Sequence, residues 1–177
     1  MATIVFIGFR GSGKSTLGKW LASELKVPFI DTDTEVLASM GFSSVTEAWK
    51  VKGEEAWRDA EFHVIPSLLK QDAVFALGGG APMIPLVAKA VSTCDVIFNL
   101  TANESETSDR IDSGNDRPAL CADDVEMRLS RLPAYAILGT CGIDTSGDID
   151  GCKERILDFL EHGHEPPDAH TFPTKTN

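Results

Sequence analysis

Short apolar runs alternate along this chain with longer stretches in which hydrophobic positions recur every three or four residues. The runs have strand length and the periodic stretches have the spacing of one buried helix face. On this basis strands are expected at Thr3–Ile7, Pro28–Ile30, Val74–Leu77, Val96–Leu100 and Cys141–Ile143. Helices are expected at Lys14–Leu25, Asp33–Ser39, Val45–Lys50, Glu54–Leu69, Pro82–Val91, Ser105–Ile111, Val125–Leu138 and Asp148–Glu161. Strands separated by helices read as a parallel sheet, reached by right-handed crossovers and covered on both faces. The expected fold class is therefore α/β, a three-layer α/β/α sandwich around a five-stranded parallel sheet. Ligands of such sheets gather at the carboxyl ends of the strands.

Two segments break the rhythm. Residues 112–124 are polar, carry Gly114, Arg117 and Pro118, and show no periodicity, so they read as a mobile loop. Residues 162–177 hold Pro166, Pro167, Pro173 and three of the four histidines, and read as a polar, disordered tail. A length of 177 residues suits one domain, here residues 1–161. The longest apolar-rich stretch, Val74 to Val91, contains three glycines, two prolines and Lys89, which argues against a membrane span. No signal peptide is read at the N-terminus, and Cys94, Cys121, Cys141 and Cys152 lack C-x-x-C or metal-ligand spacing. A cytoplasmic protein with reduced thiols is the expectation. The net charge of −11 disfavours nucleic acid or an anionic membrane as partner.

Chemistry enters at Gly8-Phe9-Arg10-Gly11-Ser12-Gly13-Lys14-Ser15, which matches G-x-x-x-x-G-K-[ST] between an expected strand and an expected helix. That order aims consecutive backbone N–H groups at an anion, with Lys14 placed for the β- and γ-phosphates and the Ser15 hydroxyl for Mg²⁺. Nucleotide-binding candidates are thus Gly11, Ser12, Gly13, Lys14, Ser15 and Thr16. Asp31 and Asp33 stand just past the second strand. Spacing two on an extended backbone points both toward one pocket, where one acid orients an acceptor alcohol and the other supports the metal. Capping of the next helix is the competing reading.

Trp57, Ala60, Val64 and Leu68 form the expected buried stripe of a helix, with Arg58 on its flank between Glu54 and Glu61. Surface ion pairs of Arg58, worth under about 1 kcal/mol, are the bland reading of that trio. Gly78-Gly79-Gly80 follows the third strand, and such a costly run suggests close approach of backbone to a ligand, with a flexible turn as the alternative. Arg117-Pro118 lies in the polar loop, and Arg131-Leu132-Pro133-Ala134-Tyr135 in a later helix. A loop arginine can close over a triphosphate and neutralise the transferring group, although loop arginines are usually just solvated.

In this order and spacing the motifs resemble shikimate kinase, from about Thr3 to Leu160. The resemblance implies a P-loop, nucleoside-kinase-like fold with 112–124 as its lid. It implies ATP-dependent phosphorylation of the shikimate 3-hydroxyl in aromatic amino-acid biosynthesis, with Mg²⁺ and no nucleic-acid or membrane partner. It also implies roles. Asp33 would contact the acceptor hydroxyl and Asp31 would support magnesium. Arg58 and Arg131 would grip the substrate carboxylate, with Gly78, Gly79 and Gly80 against the substrate. Lys14 and Arg117 would serve catalysis, Arg110 would pack on adenine, and Asp144–Asp148 would form the other side of the adenine pocket. Trp57, where the family usually has phenylalanine, and Ala119 in the lid depart from the pattern, with consequences for affinity and lid kinetics. A gluconate-kinase-like sugar-acid kinase and a nucleotide-binding switch are the alternatives. The working unit is read as a monomer.

Overall fold

The computed structural model describes residues 2–102 and 123–163, with side chains in the second span from Glu126 onward. The expected helix Ser105–Ile111, almost the whole of the lid, and Arg110 and Arg117 with them, lie outside the described residues.

Five strands form one sheet: β1 (Ile4–Gly8), β2 (Phe29–Asp31), β3 (Val74–Ala76), β4 (Val96–Thr101) and β5 (Cys141–Asp144). Their order is β2-β3-β1-β4-β5 and every pairing is parallel. β1 is central, and all five of its residues are buried, as a strand covered on both faces requires. Alternation sorts its side chains between two cores. Val5 and Ile7 join Phe75, Leu77, Trp57, Ile65 and Val87 on one face, while Ile4 and Phe6 join Leu17, Leu21, Phe98, Ile143 and Ile156 on the other.

The first core is covered by α2 (Thr32–Met40), α3 (Val45–Leu68), α4 (Pro85–Val91) and Tyr135 of α5 (Asp123–Leu138). The second is covered by α1 (Lys14–Leu25) and α6 (Ile149–His162). From β1 the chain moves first to one side of the sheet and later to the other. That reversal opens a crevice at the carboxyl ends of β1 and β3, where the phosphate-binding motif emerges.

Two details differ from the periodicity. The helix expected at Pro82–Val91 is a 3₁₀ turn, Ala81–Met83, followed by α4. Pro85 causes the break, because a proline ring bars its predecessor from helical angles, and Ile84 is extended at φ −84°, ψ 118°. The two helices expected at Val45–Lys50 and Glu54–Leu69 are joined across a kink at Gly53, whose φ of 84° a side-chain-bearing residue rarely adopts. Cys94, Cys141 and Cys152 are not joined to one another by disulfides. No helix among the described residues is long and apolar enough to cross a membrane.

Candidate active site

The phosphate loop is shaped by what surrounds it. A Cβ on Gly8 would collide with the Leu100 carbonyl of β4, so only glycine lets the chain leave the sheet here. Gly13, at φ 95°, then turns the backbone into α1 without a side-chain cap. The first-turn N–H groups of a helix have no partners within it, which makes this end of α1 suited to an anion. Gly11, Gly13, Lys14, Ser15 and Thr16 line a cleft of about 390 Å³ together with Asp31, Asp33, Gly78 and Gly79. Lys14 curls back over the loop, its Nζ donating to the carbonyls of Gly8 (2.9 Å) and Phe9 (2.6 Å).

Asp31 caps α2, the competing reading of this pair, and also reaches the phosphate loop. One carboxylate oxygen accepts the N–H of Asp33 at 3.1 Å and caps α2; the other accepts the Ser15 hydroxyl at 3.1 Å. The expected convergence of Asp31 and Asp33 is found, but for a different reason. β2 ends at Asp31, so Asp33 stands in the first turn of α2 rather than on an extended backbone. Thr32 fixes that junction: fully buried, it donates to the Ala76 carbonyl (3.3 Å) and accepts the Gly78 N–H (3.1 Å). Nothing in the sequence marked Thr32, which is a polar residue between two acids.

The glycine triplet forms a floor on which three charged side chains rest. A Cβ on Gly78 would overlap the Asp33 carboxylate, and one on Gly80 would overlap the Arg58 guanidinium. One on Gly79 would lie 3.5 Å from Arg131 Nη1 and 3.6 Å from the Tyr135 hydroxyl. Asp33, Arg131 and Arg58, from three different helices, therefore meet over three consecutive glycines. This convergence also explains why the run is tolerated.

Arg58 is held more firmly than surface ion pairs would hold it. Its Nη1 donates to Glu61 at 2.7 Å, and its Nη2 to Glu54 at 3.0 Å. Glu54 is exposed, but Glu61 is only 1% exposed, so the surface-pair reading fails for this half of the trio. The buried stripe runs Trp57, Glu61, Ile65 and Leu69, with Ala60, Val64 and Leu68 beside it, only partly covered. Burial pushes the Glu61 carboxyl above the usual carboxylate range against the pull of Arg58, and the neighbouring Asp33 adds to that rise. A signal was available: Glu61 stands four residues from Trp57 and from Ile65, on the stripe itself.

Tyr135 is the other residue without a sequence-derived role. It follows Arg131 by four residues, one turn along the same face of α5. Its hydroxyl donates to the Gly79 carbonyl at 2.5 Å, and its ring meets Phe9 edge-on at 5.1 Å. Burial pushes that hydroxyl up to about 12 although Arg131 pulls it down. It stays a neutral donor throughout the working range. Tyr135→Phe, which leaves the Gly79 carbonyl unsatisfied, is expected to cost about 1–2 kcal/mol. Calorimetry should register this as a fall of roughly 2–8 °C in Tm for a chain of this size.

The arrangement offers an anion cradle with Lys14 beside it and Asp33 lining the same cleft, next to glycines on which Arg131 and Arg58 rest. A family model described as shikimate kinase matches residues 10–160. A shikimate kinase of Bradyrhizobium diazoefficiens is 37% identical over 177 residues, covering 93% of this chain and 85% of that protein. One of Zymomonas mobilis is 38% identical over 131 residues, covering 73% and 74%. Among solved structures, shikimate kinase from Acinetobacter baumannii in complex with shikimate superposes with a TM-score of 0.81 at 25% identity, covering 92% of this chain and 94% of that one. A gluconokinase from Sinorhizobium meliloti, at TM-score 0.57 and 20% identity, shares the fold alone.

Proposed function

The chain belongs to the shikimate kinase family, and from that premise we infer that it transfers the γ-phosphoryl group of ATP to the 3-hydroxyl of shikimate, in the pathway to chorismate and the aromatic amino acids. The observation that carries this reading is the meeting of Asp33, Arg58 and Arg131 over the glycine triplet, whose Gly78 and Gly79 line the same cleft as Asp33 and Lys14. A protein that only bound nucleotide would have no use for that second half of the cleft.

We assign the roles as follows. Arg58 and Arg131 hold the substrate carboxylate, with charge-assisted bonds worth roughly 1.5–3 kcal/mol each. That interaction discriminates an acid from a plain polyol. Asp33 orients the attacking hydroxyl and receives its proton as the oxygen bonds to the γ-phosphorus. The bond from that phosphorus to its bridging oxygen breaks, and ADP leaves. Lys14 and the backbone N–H groups of Gly11 to Thr16 neutralise charge on the phosphates. Arg117 and Arg110, outside the described residues, are assigned to closure over the phosphates and to adenine by likeness to the family. Residues 1–161 are treated as one kinase domain, with 112–124 as its lid.

Mg²⁺ fits the residues present. It takes few protein ligands, typically one or two carboxylates, together with substrate phosphates and water. The Ser15 hydroxyl and the Asp31 carboxylate, 3.1 Å apart beside the phosphate loop, are such a pair. Ser15 and Asp31 would hold the ion, which would supply neutralisation of the charge that develops on the phosphates. No cluster of three or more His, Cys, Asp or Glu suited to a metal occurs among the described residues. The assigned groups all come from one chain, so the working unit is read as a monomer, to be checked by sedimentation. The reaction is placed in the cytoplasm, where ATP is supplied.

ADP release measured with ATP, Mg²⁺ and a panel of polyhydroxy acids tests the assignment. Shikimate is expected to be turned over far faster than gluconate; the reverse order would overturn the reading.

A further inference from the structure

A buried threonine far from the phosphate motif in sequence is bonded to it in space. Thr145 opens the turn between β5 and α6 and is 5% exposed. Its hydroxyl lies 2.9 Å from the Ser12 carbonyl of the phosphate loop and 2.9 Å from the Thr101 carbonyl at the end of β4. A hydroxyl has one proton to donate. The Thr101 carbonyl already accepts the Thr145 N–H at 2.7 Å, so the hydroxyl proton is best used on Ser12.

That bond has a directional consequence. In a trans peptide the C=O of one residue and the N–H of the next point in opposite directions across a rigid plane. A Ser12 carbonyl held toward Thr145 therefore turns the Gly13 N–H the other way, toward the cleft that Gly13 lines. Gly13 needs such a restraint. It sits at φ 95°, and among the described residues nothing lies within 4 Å of where a Cβ would stand, so no packing on that side steadies it. The Ser12 N–H donates to the Phe9 carbonyl at 3.2 Å on the other side of the residue, and its buried Oγ has no hydrogen-bond partner among the described residues.

We propose that Thr145 is a positioning residue for the nucleotide phosphates: its hydroxyl anchors the Ser12 carbonyl and so aims the Gly13 N–H into the cleft. Through the same side chain, the β5–α6 turn and the phosphate loop are held as one unit. The proposal rests on the reading of this cleft as an ATP site.

Thr145→Val keeps the branched shape and removes the hydroxyl. Losing a buried hydrogen bond of this kind corresponds to about a tenfold rise in KM for ATP. KM for shikimate and kcat are expected to stay within about twofold, and the Tm increase produced by saturating ADP should shrink in parallel. Thr145→Ser should restore both nucleotide readouts. Thr145→Ala, which does not press a new methyl group against two carbonyls, is the second probe should the valine variant fail to fold, and carries the same expected rise.

An unchanged KM for ATP in the hydroxyl-free variants would overturn the proposal. So would an equal rise in KM for both substrates, the mark of a general brace, or a serine variant as impaired as the valine one. Failure of the ATP reading itself would look different: the unmodified protein would show no Tm response to ADP.

Discussion

Asp33→Asn is expected to lower kcat by about 10²–10⁴, the range that a positioned proton acceptor contributes. Asparagine has nearly the same shape, so the contact with Gly78 and the first turn of α2 should survive. What it loses is the capacity to take a proton from the attacking hydroxyl. The phosphate loop and the arginines assigned to the substrate carboxylate are untouched, so KM for shikimate should change little and the Tm rise with ADP should persist. Steady-state kinetics with thermal melts in ADP check both halves. A kcat within tenfold of the unmodified enzyme would remove Asp33 from its assigned role.

The second large effect is expected at Glu61, where stability and substrate binding should separate. Glu61→Ala opens a cavity in the stripe between Trp57 and Ile65 and strips Arg58 of its buried partner. Breaking a buried pair in this way costs about 3–5 kcal/mol. A value near 3 kcal/mol is expected here because Arg58 keeps Glu54, and it corresponds to a fall of about 6–12 °C in Tm. Glu61→Gln fills the same space, and its expected stability is within about 1 kcal/mol of the unmodified protein.

The reason lies in the sign of the Glu61 shift. Burial raises its pKa, so the folded protein holds this proton more tightly than the unfolded chain does. The stability linked to that proton is present below the unfolded carboxyl's pKa and is lost as pH rises through the folded value. At neutral pH the charged form carries a desolvation cost that glutamine avoids. Glutamine is nonetheless a weaker partner for a guanidinium, so Arg58 should lose its fixed orientation over Gly80. A rise of about tenfold in KM for shikimate is expected, the loss of one charged hydrogen bond. A Glu61→Gln variant with unchanged KM would mean that Glu61 serves the core alone.

The sequence by itself determined the order and type of most described elements, because each rests on a local period, but not the 3₁₀ turn Ala81–Met83 or the joining of two helices into α3. The unbroken apolar run of β1 marked a strand covered on both faces, and the motif at its end marked the phosphate loop within a residue or two. It also marked Asp31, Asp33, Arg58, Arg131 and the glycine triplet, since each occupies a recognisable position beside an element end or within a quoted motif. Tertiary structure decided what those groups do to one another. That Gly78, Gly79 and Gly80 each carry a different helix's charged side chain depends on how α2, α3 and α5 pack over the end of β3. That Glu61 is a buried partner rather than a surface ion depends on which side of α3 faces the sheet. The hydroxyls of Thr32, Tyr135 and Thr145 act on carbonyls 44, 56 and 133 residues away in sequence. Periodicity reports which face of an element is covered. It carries no information about which backbone carbonyl ends up within reach of a buried hydroxyl, because that is fixed only when the layers close on one another.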